Sequence, residues 1–175
     1  MRAPFMTWAS SRTAIVVAAI TLVAAVTGVL SWSRTVPAPS VTFTSLTGER
    51  IGTGDLRGRV VLVNFWATDC AVCVREMPRL VQTYKTYQPR GLEVIAVAMR
   101  HDPPNYVLNY VEKTALPFRV ALDPMGDLAQ AFDDVKLTPT LVVIDKRGNV
   151  VKRILGEPDF AALEKLIEEK LAEPV

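Results

Sequence analysis

The stretch Arg59-Val60-Val61-Leu62-Val63-Asn64-Phe65-Trp66-Ala67-Thr68-Asp69-Cys70-Ala71-Val72-Cys73 decides how this chain folds. Its first half is an apolar run of strand length, which predicts a strand buried on both faces. After Asp69 the period changes. Cys73, Met77, Leu80, Val81 and Tyr84 share one helical face, while Arg75, Arg79, Gln82 and Lys85 lie away from it. A buried strand therefore hands over to a helix at Cys70, at the carboxyl edge of an open α/β sheet, where ligands are usually met.

Cys70 and Cys73 are the only cysteines in the 175 residues. If Cys70 opens the helix, Cys73 follows one turn later, roughly 5 to 6 Å away between Cβ atoms. A disulfide can close that gap with little backbone movement. The unsatisfied N–H groups and dipole of the first turn favour a thiolate on Cys70, which makes it the attacking sulfur. Cys73, set deeper, resolves the mixed disulfide. The same spacing also serves half a zinc site, a haem attachment site or a short structural disulfide. With one histidine, His101, the chain lacks the ligands for a closed Cys/His zinc site. Val74 rather than histidine follows Cys73, against covalent haem. A structural disulfide around two residues would stabilise only weakly. No metal and no cofactor is expected beyond the dithiol itself.

The remaining pattern supplies a scaffold. Val41 to Leu46 reads as an early edge strand, and Leu92 to Ala98 as a second buried strand. Asp102-Pro103-Pro104 reads as a helix N-cap followed by proline at the first helical position. Val107, Tyr110, Val111 and Thr114 then recur at helical spacing. A short strand at Phe118 to Leu122 and a helix near Asp127 to Phe132 follow. A turn at Asp145 to Asn149 joins Thr140 to Ile144 with Val150 to Leu155 as an antiparallel hairpin. Asp159 caps a last helix whose Leu163, Leu166, Ile167 and Leu171 point inward. The expected class is α/β, a central mixed β-sheet flanked by helices.

Ala14 to Leu30 carries no charge and is just long enough, at about 25 Å, to cross a bilayer as a helix. Arg2 and Arg12 precede it, which places the N-terminus inside and the rest of the chain outside. The expected organisation is a cytoplasmic segment 1–12, a transmembrane anchor or signal peptide 13–32, a linker 33–40 and one domain 41–175. Ser31-Trp32-Ser33 is a passable cleavage site, so the cleaved reading stays open. The formal charge of +2 does not point to nucleic acid. Three of the 20 basic residues (Arg2, Arg12 and Arg34) precede Val36, leaving 17 against 18 acidic ones, a net of −1 with no basic stripe.

Phe65-Trp66-Ala67-x-x-Cys70-x-x-Cys73 with Glu76-x-Pro78 resembles the thioredoxin superfamily. Within it, Leu56 to Trp66 and Leu137-Thr138-Pro139-Thr140 make the chain similar to the TlpA/ResA-type membrane-anchored thiol-disulfide oxidoreductases of the bacterial cell envelope. The resemblance implies a thioredoxin-like fold in which Asp102 to Leu122 is a family-type central insertion. It implies a cis Thr138-Pro139 bond packed against the dithiol, with Thr138 pairing its backbone with substrate. It also implies two kinds of partner: disulfide-bearing proteins such as apocytochromes c or copper-site proteins, and a transmembrane electron donor. The protein is expected as a monomer, anchored by a single pass in the inner membrane and facing the periplasm or exterior. Two departures stand out, Asp69 where many relatives carry tryptophan and Ala71-Val72 where many carry a proline. A carboxylate beside Cys70 opposes thiolate formation while the helix dipole favours it.

Several side chains compete for roles around the dithiol. The superfamily's buried aspartate six residues before the first cysteine is here Asn64, which cannot titrate. Glu76, three residues after Cys73, shares its helical face and can carry the proton; the alternative is a surface glutamate paired with Arg75 or Arg79. Trp66 either covers the site as part of the substrate-binding surface or simply packs in the core. Pro78 removes one helical hydrogen bond and bends the helix. His101 reads as a loop histidine, with a functional role as its rival. Three functions remain open on these residues: a reductase of secreted disulfides, a disulfide-donating oxidase or isomerase, and a copper chaperone using both thiolates and His101.

Overall fold

The computed structural model describes residues 15–21 and 36–174, which fall in two separate units. Residues 15–21 are helical. The rest of the expected span 13–32, like segment 1–12, lies outside the described residues. Among the described residues no helix is long and apolar enough to cross a membrane.

In the larger unit, strand β4 (Val60–Trp66) is the axis, with all seven residues buried. It pairs in parallel with β5 (Leu92–Ala98), from Val60 opposite Leu92 to Trp66 opposite Ala98. Its other side pairs antiparallel with β7 (Thr140–Ile144). Strand β1 (Val36–Pro37), β8 (Asn149–Leu155) and β6 (Arg119–Leu122) complete a mixed sheet ordered β1-β8-β7-β4-β5-β6. The expected central mixed sheet is present, and β8 forms the expected hairpin with β7.

Strand alternation divides the core into two layers. Val60, Leu62 and Trp66, with Leu92, Val94, Leu141 and Val143, pack against helices α1 (Ala71–Tyr87), α2 (Pro104–Thr114) and α4 (Phe160–Ala172). Val61, Val63 and Phe65, with Ile95, Val97 and Val142, face Phe43, Ile51, Leu56 and the short helix α3 (Asp127–Ala131). Helices flank both faces, but three of the four share the face that carries Cys73. Asp159 caps α4 as expected, accepting from the Ala161 and Ala162 N–H groups at 3.0 and 3.2 Å.

Three local expectations are corrected. The early strand reaches the edge of the main sheet only at its end, where Ser45 bridges Ala121 and the Leu46 N–H donates to the Val120 carbonyl at 2.9 Å. Its body, β2 (Thr42–Thr44), folds back onto β3 (Arg50–Gly52) as a separate pair, because Gly48, at φ +84°, closes a tight turn and puts Phe43 opposite Ile51 as a buried pair. The linker is partly strand: Val36 and Pro37 pair with Val150 and Asn149 at the sheet edge, where a proline without an N–H is tolerated. Asp102 does not cap α2; Pro103 occupies that position without a side-chain bond, and Pro104 takes the first helical place.

Phe132 ties the second layer together, with ring centroids 6.1 Å from Phe43 and 5.5 Å from Phe65. Phe132→Ala should lower unfolding free energy by about 3 to 5 kcal/mol in a denaturant titration. A loss below about 1 kcal/mol would show that the hairpin layer closes over the gap.

Candidate active site

Strand β4 ends at Trp66, and Ala67 to Asp69 carries the chain to Cys70, the N-cap of α1. Cys70 has extended φ and ψ of −85° and 100°, and its sulfur accepts the Cys73 N–H at 3.2 Å. One sulfur therefore meets an N–H that the helix start would otherwise leave without a partner. The two cysteines form a disulfide with 5.2 Å between Cα atoms. They are not equivalent: Cys73 is 0% exposed in the helical layer, while Cys70 is half-buried at the surface.

The Thr138-Pro139 bond is cis. Phe65 pairs with Thr140, so Pro139 lies level with the end of β4, where the chain turns toward Cys70. Pro139 is buried, Thr138 half-buried and the preceding Leu137 exposed. The Pro139 carbonyl accepts from the Gly156 N–H at 2.8 Å. Cys70 and Pro139, 69 positions apart in sequence, are thus brought to one edge of the sheet by β4–β7 pairing.

Glu76 is 3% exposed and its Oε2 has no hydrogen-bond partner. The surface alternative fails, because Arg75 pairs with Glu157 at 2.7 Å and Arg79 with Glu164 at 3.0 Å. Burial pushes the Glu76 carboxyl up to about 7; the Glu157 charge adds to the rise and Arg75 opposes it. A carboxyl near neutrality one turn from Cys73 exists in both forms at pH 7 and can take or give a proton.

Trp66 is fully buried against Tyr110 of α2, with ring centroids 5.1 Å apart, so in the oxidised state it presents no surface for a substrate. Asn64 is likewise sealed on the Cys73 side, with neither amide atom bonded. Helix α1 runs through exposed Pro78 without interruption. His101 sits in the turn after β5, with Nε2 3.6 Å from Asp69 Oδ1, both side chains largely exposed. Sequence reasoning missed what Asp102 does. Its buried carboxylate accepts the Thr68 N–H at 2.6 Å and the Thr68 hydroxyl at 2.5 Å, two residues before Cys70. The only signal was a threonine and an aspartate at two strand ends, which no local pattern connects.

A dithiol/disulfide pair at a strand-to-helix N-cap, beside a cis-proline, on a mixed sheet with helices on both faces defines a thioredoxin-like redox protein. The Redoxin family model matches residues 34–167. Thiol-disulfide oxidoreductase ResA of Bacillus thuringiensis subsp. konkukian is 35% identical over 131 residues, covering 75% of each chain. ResA of Geobacillus kaustophilus is 34% identical, covering 75% of this chain and 74% of its own. A thioredoxin-family thiol:disulfide interchange protein from Chlorobium tepidum TLS superposes with a TM-score of 0.73 at 30% identity, over 80% of this chain and 99% of that one. StoA of Bacillus subtilis, at 21% identity and a TM-score of 0.63, shares the fold. The chain belongs to the Redoxin family, as a thiol-disulfide oxidoreductase of the ResA type.

The buried carboxyl leaves a pH signature. An unfolded chain releases the Glu76 proton near 4.5, whereas the folded one keeps it to about 7. The folded state binds more protons between these values, so this group's contribution is most favourable below about pH 4.5 and declines until pH passes about 7. In the oxidised protein, Glu76→Gln should reduce the loss of stability between pH 5 and pH 8 by about 2 to 3 kcal/mol. Denaturant melts at both pH values measure it. An unchanged pH dependence would mean that the carboxyl titrates like a surface glutamate.

Proposed function

We propose that this protein is a membrane-tethered reductase of the bacterial cell envelope that converts disulfides of secreted proteins to dithiols. The observation that carries this reading is the asymmetry of the pair: Cys70 is reachable at the N-cap, and Cys73 is sealed one turn from the buried carboxyl of Glu76. In the reduced protein the Cys70 thiolate attacks a substrate disulfide; a bond forms to one substrate sulfur, and the other leaves as a thiolate that takes a proton. Cys73 then gives its proton to Glu76 and attacks the Cys70 sulfur, closing the Cys70–Cys73 disulfide, and the second substrate sulfur leaves as a thiolate that takes the proton back from Glu76. Two electrons and two protons pass to the substrate. A transmembrane dithiol donor returns them.

One feature favours donation of electrons over donation of a disulfide. Asp69 beside Cys70 and Asp102 against Thr68 place negative charge near the nucleophile, which weakens the thiolate and with it the reduced state. Thr138, half-buried before the cis-proline, is the backbone edge on which a substrate segment would pair. Apocytochromes c awaiting haem and copper-site proteins are the proposed substrates, being exported proteins with paired cysteines. The uncharged run 14–30, with Arg2 and Arg12 before it, supports a single-pass anchor that keeps the domain outside the cytoplasm as a monomer.

In cells, Cys73→Ser should accumulate mixed disulfides through Cys70, since nothing resolves the adduct, and the captured proteins identify the substrates. Acid quench followed by alkylation should find a substantial dithiol fraction of the wild-type protein that vanishes when the membrane donor is deleted. A fully oxidised pool indifferent to that deletion would sink the reductase reading and support a disulfide donor.

Met1 should remain on the membrane-bound protein, which should resist extraction at alkaline pH. A soluble form starting near Arg34 would replace the tether with secretion.

A further inference from the structure

We propose that Asp102 is a positioning residue for Cys70, and that its carboxylate keeps the redox potential of the Cys70–Cys73 pair low. The ends of β4 and β5 are stitched together beyond the sheet. The Met99 N–H donates to the Trp66 carbonyl at 3.0 Å, and the Asp102 N–H donates to the Met99 carbonyl at 2.9 Å. This places the Asp102 carboxylate under the loop before the dithiol. Oδ2 accepts from the Thr68 N–H and Oδ1 from the Thr68 hydroxyl. The loop closes on itself where the Cys70 N–H donates to the Ala67 carbonyl at 3.2 Å. Thr68 is therefore clamped at both its donors, and the turn that delivers Cys70 to its N-cap position is held from below by a residue 34 positions away.

Asp102 is 5% exposed, and helix α2 does not use it as a cap. Its two side-chain partners are neutral, and His101, the adjacent group able to carry positive charge, is turned toward Asp69. A buried negative charge bonded to Thr68, two residues before the nucleophile, opposes formation of the Cys70 thiolate. A less stable thiolate makes the dithiol less stable relative to the disulfide, and so a stronger reductant. One carboxylate thus acts twice: its hydrogen bonds place Cys70, and its charge sets the poise. Arg100, His101 and Asp69 are the other charged or titratable groups on these two loops, with Glu76 on the helix side. The proposal requires exchange at the cysteine pair in either direction, so it stands or falls separately from the cellular trapping result.

Three variants separate the two actions. Asp102→Asn removes the charge yet can keep both contacts, with Oδ1 accepting from the Thr68 N–H and Nδ2 donating to the Thr68 hydroxyl. Asp102→Ala removes charge and contacts together. Thr68→Val deletes only the hydroxyl. Equilibration with glutathione, in which two thiols give two electrons and two protons to the protein disulfide and become one glutathione disulfide, measures the potential. Asp102→Asn should shift this equilibrium about tenfold toward the dithiol, roughly 30 mV. The pH at which alkylation of Cys70 is half-maximal should fall with it. Asp102→Ala and Thr68→Val should attack a small disulfide about tenfold more slowly than Asp102→Asn, compared where Cys70 is fully ionised. If Asp102→Ala does not fold, Thr68→Val carries that comparison. A wild-type potential and labelling profile in Asp102→Asn would overturn the electrostatic role. Attack by the contact-deficient variants as fast as by Asp102→Asn would overturn the positioning role.

Discussion

Burial of β4 on both faces is the constraint on which the rest of the structure depends. With every side chain from Val60 to Trp66 inside, the strand must be central, and both its edges must be paired to satisfy its backbone N–H and C=O groups. Parallel pairing with β5 forces a crossover, which α1 supplies. The crossover must begin where β4 ends, and that start is the N-cap occupied by Cys70. Antiparallel pairing with β7 brings Pro139 to the same edge. The site is therefore a consequence of how one strand is enclosed.

Polarity inside the helical layer is concentrated around Cys73. Both amide atoms of Asn64, the Trp66 indole nitrogen and Glu76 Oε2 are buried there without hydrogen-bond partners. Buried polar atoms left unpaired cost stability, and a layer designed for packing alone would not retain them. Glu76 moves the titratable group from the strand, where Asn64 stands, to the helix. The acid then lies on the same element as the cysteine it serves. Its charge is suppressed by burial, whereas Asp69 remains in water and Asp102 is held by two neutral donors.

The opposite end of the sheet is stabilised by charge. Glu93, at the start of β5 and 2% exposed, meets Arg59 at 3.1 Å and Arg119 at 2.9 Å. Arg119 also holds the exposed Glu49 of the β2–β3 turn, whose carboxyl is lowered by that hydrogen bond. A buried carboxylate is costly unless it is paired, and two guanidinium groups partly in water supply the pairing. The entries of β4, β5 and β6 are thus tied at one end of the sheet, and their exits are left for chemistry at the other.

The sequence by itself determined the buried strand, its handover to a helix at Cys70 and the face shared by Cys73 and Glu76, because these are local: a strand repeats every two residues and a helix every 3.6. It also determined the β7–β8 hairpin and the Asp159 cap, which rest on short-range turn and cap chemistry. The tertiary structure decided whether Glu76 was surface or core, since that turns on Arg75 and Arg79 finding Glu157 and Glu164 across the fold. It decided that Val36 and Pro37 join the sheet while Val41 to Leu46 largely does not, because strand partners are chosen by distant segments. It also turned Asp102 from the cap suggested by the prolines beside it into the anchor of the Thr68 loop. A local motif states what a carboxylate can bind; only the meeting of two strand ends states which donors reach it first.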